Sequence, residues 1–292
     1  MKPSRLMSGR KPRGRARKVS GLAETSAEAD MGKEPVSESV REPISVTIIA
    51  HNEAERIGAC IDSVSWADEI IVVDAGSTDD TQEICRKRGA LLIRHPWQGY
   101  AAQKNFALSK VSHSWILSLD ADECVSLELS EEILSVLSDE APAEGYRIPR
   151  KNIFFGRWLR HGDLWPDYQV RLFQRKAGAF NEKSVHESVV VEGRVGVLSF
   201  PLEHYSYDSL FDFFQRQVKY AKLSAEDLSS RGAQPGIADF VIRPLWRFFK
   251  SYVLKTGFRD GVNGLWVSVG SAYYVFMRAA FLWELCRRHE RP

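Results

Sequence analysis

The sequence predicts an α/β fold built on a doubly wound, mostly parallel sheet, with a helical region at the C-terminal end. Between residues 44 and 120, short β-branched segments alternate with segments of helical periodicity. Two of the short segments end in an aspartate, and the last third of the chain shows only helical patterns. Strands that alternate with helices form parallel sheets, whose ligands bind beyond the carboxyl ends of the strands.

Four strands and three helices follow from this pattern. The predicted strands cover residues 44–50, 69–74, 90–93 and 114–119, each short and apolar. Asn52 can cap the first helix, Ser77 or Thr78 begins the second, and the third runs from about residue 100 to 110. Asp74 and Asp120 therefore lie at strand ends, on the edge where such sheets bind ligands.

The composition is that of an ordinary globular protein. The chain has 292 residues, of which 44% are hydrophobic, and its net charge is only +2. There is enough apolar material for a core, and no overall field that would indicate a nucleic-acid partner. The cysteines are widely separated, which indicates neither a disulfide framework nor a zinc site; they are Cys60, Cys85, Cys124 and Cys286. With no secretory signal in the first residues, we expect a cytoplasmic protein.

Three regions follow from the distribution of charge and periodicity. Residues 1–42 form a predicted disordered tail, basic at first and then mostly acidic, without an apolar period. A basic arm that touches anionic lipid or phosphate is the alternative for its first half. Residues 43–206 are the predicted catalytic domain, and residues 207–292 an amphipathic helical region.

The strongest local signal is Asp120-Ala-Asp122, directly after a buried strand. Two carboxylates at positions i and i+2 of a turn can bind one divalent cation, and hard oxygen ligands favour Mg²⁺ or Mn²⁺. Such a cation keeps positions open for phosphate oxygens. Alone, this motif is more often a solvated acidic turn, but its place at a strand end, with Asp74 at another, favours a metal site.

A second signal spans residues 73–81, Val-Asp-Ala-Gly-Ser-Thr-Asp-Asp-Thr. Gly76 permits a tight turn near a ligand, and Ser77 and Thr78 can cap a helix whose N-terminus favours anions. The Asp74 carboxylate can accept hydrogen bonds from a base or a ribose hydroxyl. An ordinary strand-turn-helix junction uses the same residue types and is the alternative.

Three segments together resemble family 2 glycosyltransferases of GT-A fold: residues 45–53, residues 71–79 and residues 119–123. The resemblance implies a nucleotide-sugar donor, a nucleoside contact from Asp74, and a metal held by Asp120 and Asp122 under the diphosphate. Where relatives carry Asp-Asp-Gly, this chain has Asp74-Ala-Gly, which leaves Asp79 or Glu53 to share the base contact. The predicted nucleotide-sugar site comprises Asn52, Glu53, Asp74, Gly76, Lys104, Asn105, Asp120 and Arg171.

Further segments look like bacterial lipopolysaccharide core glucosyltransferases, which add glucose to inner-core heptose. They are residues 151–157, 165–173, 185–187, 204–207 and 257–261. This finer resemblance implies UDP-glucose as the donor and an inner-core acceptor. Another cell-surface polysaccharide or glycolipid stays open as the acceptor, because acceptors differ among relatives.

Transfer with inversion needs a base for the acceptor hydroxyl and charge stabilisation for the leaving diphosphate. The resemblance places the base downstream of the Asp-X-Asp motif, which makes Glu187 the first candidate and Asp167 the second. Lys104 and Arg171 are candidates to assist the leaving group, and His204 (or His186) to complete the metal sphere. Retention, the alternative, would need a different arrangement such as a nucleophile beneath the sugar; the resemblance implies inversion.

The C-terminal region combines helical periodicity with apolar and basic residues. Residues 208–230 predict an amphipathic helix, and residues 243–255 interleave basic and aromatic side chains, which suits a lipid headgroup layer. Residues 262–277 are uncharged but shorter than the roughly 20 residues that span a bilayer. We expect docking on the cytoplasmic face of the inner membrane; a helical hairpin packed on the catalytic domain is the alternative.

Other classes of protein fit the sequence less well. A nucleotidyltransferase would show a glycine-rich, basic loop after the first strand, where this chain has residues 50–56, Ala-His-Asn-Glu-Ala-Glu-Arg. A non-catalytic sugar-nucleotide-binding module would not need the candidate carboxylates Asp74, Asp120, Asp122 and Glu187. No GxGxxG motif for a hydride-transfer cofactor follows a strand.

Overall fold

The computed structural model describes residues 41–181 and 188–289, which belong to one compact unit of residues 39–292. Nearly all of the predicted tail, residues 1–42, lies outside the described residues. The predicted boundary between residues 206 and 207 stays a prediction.

The described part of the chain contains strands throughout its first two thirds and only helices after them. The strands are β1 (Ile44–Ala50), β2 (Glu69–Asp74), β3 (Leu91–Arg94), β4 (Trp115–Asp120), β5 (Glu123–Val125), β6 (Gly145–Phe154), β7 (Arg157–Trp158), β8 (Asp167–Gln174), β9 (Gly178–Phe180), β10 (Val189–Val191), β11 (Val195–Val197) and β12 (Leu202–Tyr207). The helices are α1 (Ile57–Ser63), α2 (Thr81–Lys87), α3 (Tyr100–Leu108), α4 (Leu127–Leu137), α5 (Leu210–Ser230), α6 (Ile237–Phe240), α7 (Ile242–Phe249) and α8 (Gly261–His289), with a π-helix (Lys250–Leu254) and a 3₁₀ turn (Gly257–Asp260) before α8.

The central sheet has the strand order β3-β2-β1-β4-β8-β6-β12-β5. Strands β1 to β4 are parallel, and the register sets Ala50 beside Asp74 and Ile49 beside Asp120. The predicted parallel α/β sheet is confirmed for these four strands. From β8 onward the sheet is mixed, since β8 runs antiparallel to both β4 and β6. Strands β9 and β10 form a separate antiparallel pair.

Apolar side chains cover both faces of the parallel strands, which explains why these strands lack polar alternation. One buried cluster joins β1 and β4 to α1 and α4, with Ile48, Ile61 and Leu129 among its members. The other lies beneath α3 and includes Ile71 and Phe173. The sheet is therefore held rigid from both sides, and its carboxyl edge forms a fixed base for the loops that follow.

Two predicted helix starts are wrong, because Asn52, Ser77 and Thr78 form hydrogen bonds between the two loops instead of capping helices. Asn52 does not cap α1, whose N-cap is Arg56 without a side-chain hydrogen bond. The side-chain oxygen of Asn52 instead accepts a hydrogen bond from the backbone N–H of Thr78 at 2.8 Å. Helix α2 begins at Thr81, after Asp80, and not at Ser77 or Thr78.

The C-terminal helices pack on one another. Helix α5 begins at Leu210, and the Ser209 hydroxyl accepts a hydrogen bond from the backbone N–H of Asp212 at 3.0 Å. Helix α8 is continuous over 29 residues and contacts α5 and α7. In the described part of the chain, the segment Gly257–Arg288 has the length and hydropathy that a membrane crossing requires, with 28% of its apolar window buried. The uncharged stretch, residues 262–277, is shorter than a bilayer span, but the helix that contains it is longer than that stretch.

Candidate active site

The loops after β1 and β2 are joined into one surface at the carboxyl edge of the sheet. The backbone N–H of Asn52 donates to the Ser77 hydroxyl at 2.8 Å, and that of Glu53 donates to the Thr81 hydroxyl at 2.8 Å. The Asp79 carboxylate, in the loop after β2, accepts a hydrogen bond from the backbone N–H of Ala54, in the loop after β1, at 3.1 Å. Because each loop satisfies backbone donors of the other, the pair forms a preorganised wall for a ligand.

Asp74 stabilises this wall from within. Its carboxylate is fully buried and accepts hydrogen bonds from the backbone N–H groups of Gly76 and Ser77, each at 3.1 Å, and from the Gln82 amide at 2.8 Å. Gly76 has φ +94°, a left-handed conformation that strains other residues. This geometry favours a structural role for Asp74 over the predicted contact with the nucleoside.

Asp120 is held by two cations. Lys104, from α3, places its Nζ 2.8 Å from the Asp120 carboxylate, and the Arg171 guanidinium contacts the second oxygen. Burial raises the pKa of Asp120, but Arg171 and Lys104 more than offset this, and the pKa lies well below its usual range. In this arrangement both oxygens of Asp120 are engaged by protein groups.

Arg171 connects Asp120 to a buried chain of alternating charges. Its guanidinium also donates to the fully buried Glu123 carboxylate at 2.6 Å, and only 6% of its side chain is exposed. Glu123 in turn accepts from the backbone N–H of Asp120 at 2.9 Å and lies 3.7 Å from Arg150. Both contacts use the Nη2 atom of Arg171, while its Nε is buried without a hydrogen-bond partner. The two carboxylates favour a positioning role for Arg171, and its contact with the diphosphate stays a prediction.

Asp167, the second candidate base, lies at the other end of this series of alternating charges from Asp120. It accepts hydrogen bonds from Arg150 at 2.9 Å and from the Gln169 amide at 2.8 Å. Burial raises the pKa of Asp167, but Arg150 more than offsets it, and the pKa is lowered. A lowered pKa makes Asp167 a weaker base. Glu187, the first candidate, and His186 lie in residues 182–187, outside the described part of the chain.

Asp122 lies close to His204, and their role as metal ligands stays a prediction. The two approach to 3.6 Å between a carboxylate oxygen and Nε2. Strand β12 brings them together, since the backbone N–H of Tyr205 donates to the Asp122 carbonyl at 2.9 Å. Burial raises the pKa of the Asp122 carboxyl, but the contact with His204 outweighs it, and the pKa is lowered.

The hydrogen bonds of His204 show that this pair fits a cation. The Asn152 amide N–H₂ donates to the Leu164 carbonyl at 3.1 Å, which turns the amide oxygen towards His204 Nδ1 at 2.6 Å. Nδ1 therefore donates, and the Asp122 carboxylate faces Nε2, which either carries a proton of its own or presents its lone pair to a bound cation. Two acceptors that face each other need a proton or a cation between them.

A divalent metal fits this pair because one hard oxygen and one imidazole nitrogen are ligands that Mn²⁺ accepts. The described residues contain no group of three or more His, Cys, Asp and Glu side chains that could hold a metal. The remaining positions would come from substrate oxygens and water, as is usual for Mg²⁺-type sites.

Asn105 has a different place from the predicted one. Its side-chain amide donates to the Phe180 carbonyl at 2.9 Å and accepts from the Phe180 N–H at 2.9 Å. These bonds join α3 to β9, the strand before the segment that carries Glu187. The geometry favours a structural role for Asn105 over a contact with the nucleotide.

Sequence reasoning missed several residues that the structure adds. Glu123 directly follows the Asp-X-Asp motif, which was an available signal, whereas nothing local marked Asn152 or Arg150. Glu53 was predicted, but not its environment: burial raises the pKa of Glu53 to about 7, and Asp122 acts in the same direction. The loop after β1 therefore faces the Asp122 carboxylate.

Comparisons with known proteins identify relatives of this chain. The family model described as Glycosyl transferase family 2 matches residues 45–190. An uncharacterised glycosyltransferase of Rickettsia conorii is 31% identical over 261 residues, covering 85% of this chain and 93% of the relative. The lipopolysaccharide core biosynthesis glycosyltransferase LpsC of Rhizobium meliloti is 29% identical over 257 residues, covering 86% and 95%.

Among solved structures, this chain is similar to glucosyl-3-phosphoglycerate synthase from Mycobacterium tuberculosis. That protein was crystallised with Mn²⁺, UDP and glucosyl-3-phosphoglycerate. The TM-score is 0.44 and the identity 19%, with 68% of this chain and 82% of that chain covered.

Proposed function

This chain belongs to glycosyl transferase family 2, and we propose that it transfers glucose from UDP-glucose, with inversion, onto a membrane-anchored glycan of the lipopolysaccharide inner-core type. The fold is the GT-A type of α/β fold, with a mixed sheet whose first four strands are parallel. A relative named for lipopolysaccharide core biosynthesis, which spans nearly the whole chain, supports the class of acceptor.

The observation that carries the proposal is the pair Asp122 and His204 beside Asp120 and Lys104, at the carboxyl edge of the parallel strands. Asp122 and His204 would hold a divalent metal, which would act as a Lewis acid on the leaving diphosphate. Lys104 adds a buried positive charge next to this place. The joined loops after β1 and β2 form the wall against which the nucleoside would lie.

The acceptor hydroxyl must lose its proton as the sugar is transferred. Glu187 is our candidate for this step, since the ion pair with Arg150 lowers the pKa of Asp167. The two hydrogen bonds of Asn105 hold β9 against α3, and Glu187 follows β9 in the sequence. In this scheme, proton removal and leaving-group stabilisation come from separate parts of the chain.

A membrane surface is the second partner we propose, and helix α7 supports it. Ile242, Leu245, Trp246 and Phe249 follow helical spacing, yet they are 65%, 66%, 55% and 43% exposed. An apolar stripe that faces outward is unusual for a soluble helix and typical of one that lies in a lipid interface. Arg247 and other basic side chains of this region would contact anionic headgroups on the cytoplasmic face of the inner membrane.

Transfer assays test the enzymatic part of the proposal. The protein is incubated with Mn²⁺, a truncated inner-core lipopolysaccharide and, in parallel, UDP-glucose, UDP-galactose and UDP-N-acetylglucosamine. We expect glucose incorporation with an inverted anomeric configuration, lost when the metal is chelated. Incorporation of another sugar would overturn the donor assignment, and the absence of turnover with all three, on several lipid-linked acceptors, would overturn the function.

Vesicle sedimentation tests the membrane part. The double variant Leu245→Ser/Trp246→Ser should bind vesicles with anionic lipid far more weakly than the wild-type protein. Leu127→Ser is the matched control, since Leu127 is 72% exposed but lies on α4, away from this region. Equal binding by the double variant and the control would exclude α7 as the docking surface.

A further inference from the structure

We propose that Arg216, on helix α5, binds a phosphate group at the transfer site. The match to the family model ends at residue 190, so family membership does not account for this residue. The proposal rests on the proposed function in one respect, namely that a phosphate-bearing substrate occupies the site.

The position of Arg216 is fixed by the strand that carries His204. Strand β12 continues from His204 to Tyr207, with a bulge after Tyr205, and α5 begins soon afterwards at Leu210. The Arg216 guanidinium carbon lies 5.2 Å from the centre of the Tyr207 ring. A planar cation stacked on an aromatic ring loses little freedom on binding a ligand, because its orientation is already set.

The surroundings place this guanidinium next to the candidate metal pair. Burial raises the pKa of Glu53 to about 7, Asp122 adds to the rise, and Arg56 and Arg216 oppose it. Arg56, from the same loop as Glu53, forms an ion pair with Asp208, which directly follows Tyr207 at the end of β12. The α5 cation therefore lies close to the loop after β1 and to the strand that carries His204.

Arg216 is available to a ligand, unlike the other arginines nearby. Arg56 forms an ion pair with Asp208, and Arg171 is held by two carboxylates. Within residues 41–181 and 188–289, no carboxylate lies within ion-pair distance of Arg216. The guanidinium is only half-buried, so a ligand anion can reach it from the solvent side.

A phosphate is the anion that fits this place. The guanidinium fork matches phosphate oxygens with two parallel hydrogen bonds, and the leaving group of the proposed reaction carries two phosphates. The phosphate could come from the diphosphate of the donor or from a phosphorylated acceptor glycan. In either case α5 contributes directly to the transfer site, in addition to packing against α8.

Nucleotide binding separates these two sources. Isothermal titration in Mn²⁺ compares UDP with uridine for the wild-type protein, Arg216→Gln, Arg216→Lys and the control Lys222→Gln, which removes an exposed cation from the same helix. If the donor diphosphate is the ligand, Arg216→Gln should weaken UDP binding about 10- to 100-fold, as expected for lost hydrogen bonds between charged groups. Uridine binding should not change, and Arg216→Lys should recover part of the affinity.

If UDP binding is unchanged, kinetic measurements with the acceptor decide whether Arg216 binds a phosphate of the acceptor. The KM for a truncated lipopolysaccharide is measured before and after its phosphates are removed. A rise in KM for Arg216→Gln that appears only with the phosphorylated acceptor assigns the ligand to the acceptor. If UDP affinity and both KM values equal those of the Lys222→Gln control, the proposal is wrong. Failure of the wild-type protein to bind UDP would instead overturn the proposed function, and Arg216 with it.

Discussion

The buried pair of Glu123 and Arg171 makes a quantitative prediction about stability. Glu123→Gln keeps the shape of the side chain but removes its charge. Glu123 is fully buried, and its carboxylate contacts the Arg171 guanidinium at 2.6 Å and the Asp120 backbone N–H at 2.9 Å. After the substitution, one of the two carboxylates that compensate the Arg171 cation is lost.

The magnitude follows from these contacts. Removal of one partner of a buried ion pair costs about 3–5 kcal/mol. The glutamine retains one oxygen that can still accept a hydrogen bond, and Asp120 still neutralises Arg171, so we expect a value near the lower end, about 3 kcal/mol. For a unit of this size, about 2–4 °C per kcal/mol corresponds to a fall in Tm of roughly 6–12 °C.

Thermal and urea unfolding measure this change. The control is Glu131→Gln, which removes an exposed carboxylate from α4 and should stay within about 0.5 kcal/mol of the wild-type protein. A Glu123→Gln variant as stable as this control would refute the view that the buried charge chain stabilises the Asp-X-Asp turn.

Three further predictions address the loops, the packing and the tail. Because burial raises the pKa of Glu53 from its ordinary 4.5 to about 7, the fold disfavours the ionised carboxylate, and the cost grows as pH rises between these values. Glu53→Gln should therefore raise Tm more at pH 8 than at pH 5 in metal-free buffer; an equal shift at both would contradict the burial of this charge. Asn105→Ala should lower the free energy of unfolding by about 2 kcal/mol, since two hydrogen bonds to Phe180 contribute about 1 kcal/mol each; urea unfolding with no change would refute the structural role. Deletion of residues 1–42 should leave activity on a soluble acceptor largely unchanged, and a collapse of the rate would show that the tail takes part.

Much of the fold was predictable because its first half is a parallel sheet buried on both faces. Such strands appear in the sequence as short apolar runs, and the first two predicted strands match β1 and β2. The mixed half, from β8 to β12, was not predicted. Its strand order depends on pairings between residues far apart in the chain, such as β4 with β8, which local periodicity does not encode.

The candidate site was predictable at the level of residue types and less so at the level of partners. Asp122 and His204 were both predicted as metal ligands; the structure places them 3.6 Å apart, and the metal itself stays a prediction. Arg171 and Asp74 were expected to contact the nucleotide, but the Asp74 carboxylate and the Nη2 atom of Arg171 contact protein groups. An arginine fork binds carboxylate and phosphate equally well, so the sequence alone could not tell which one it meets.

The central claim is that Asp122, with His204, holds the divalent cation on which transfer depends. The most direct test is Mn²⁺ binding in the presence of UDP, followed by paramagnetic resonance, for the wild-type protein and Asp122→Asn, with circular dichroism to confirm that both are folded. We predict that the wild-type protein binds Mn²⁺ with UDP and that Asp122→Asn loses both this binding and metal-dependent turnover. Unchanged Mn²⁺ affinity and wild-type rates in Asp122→Asn would contradict the assignment.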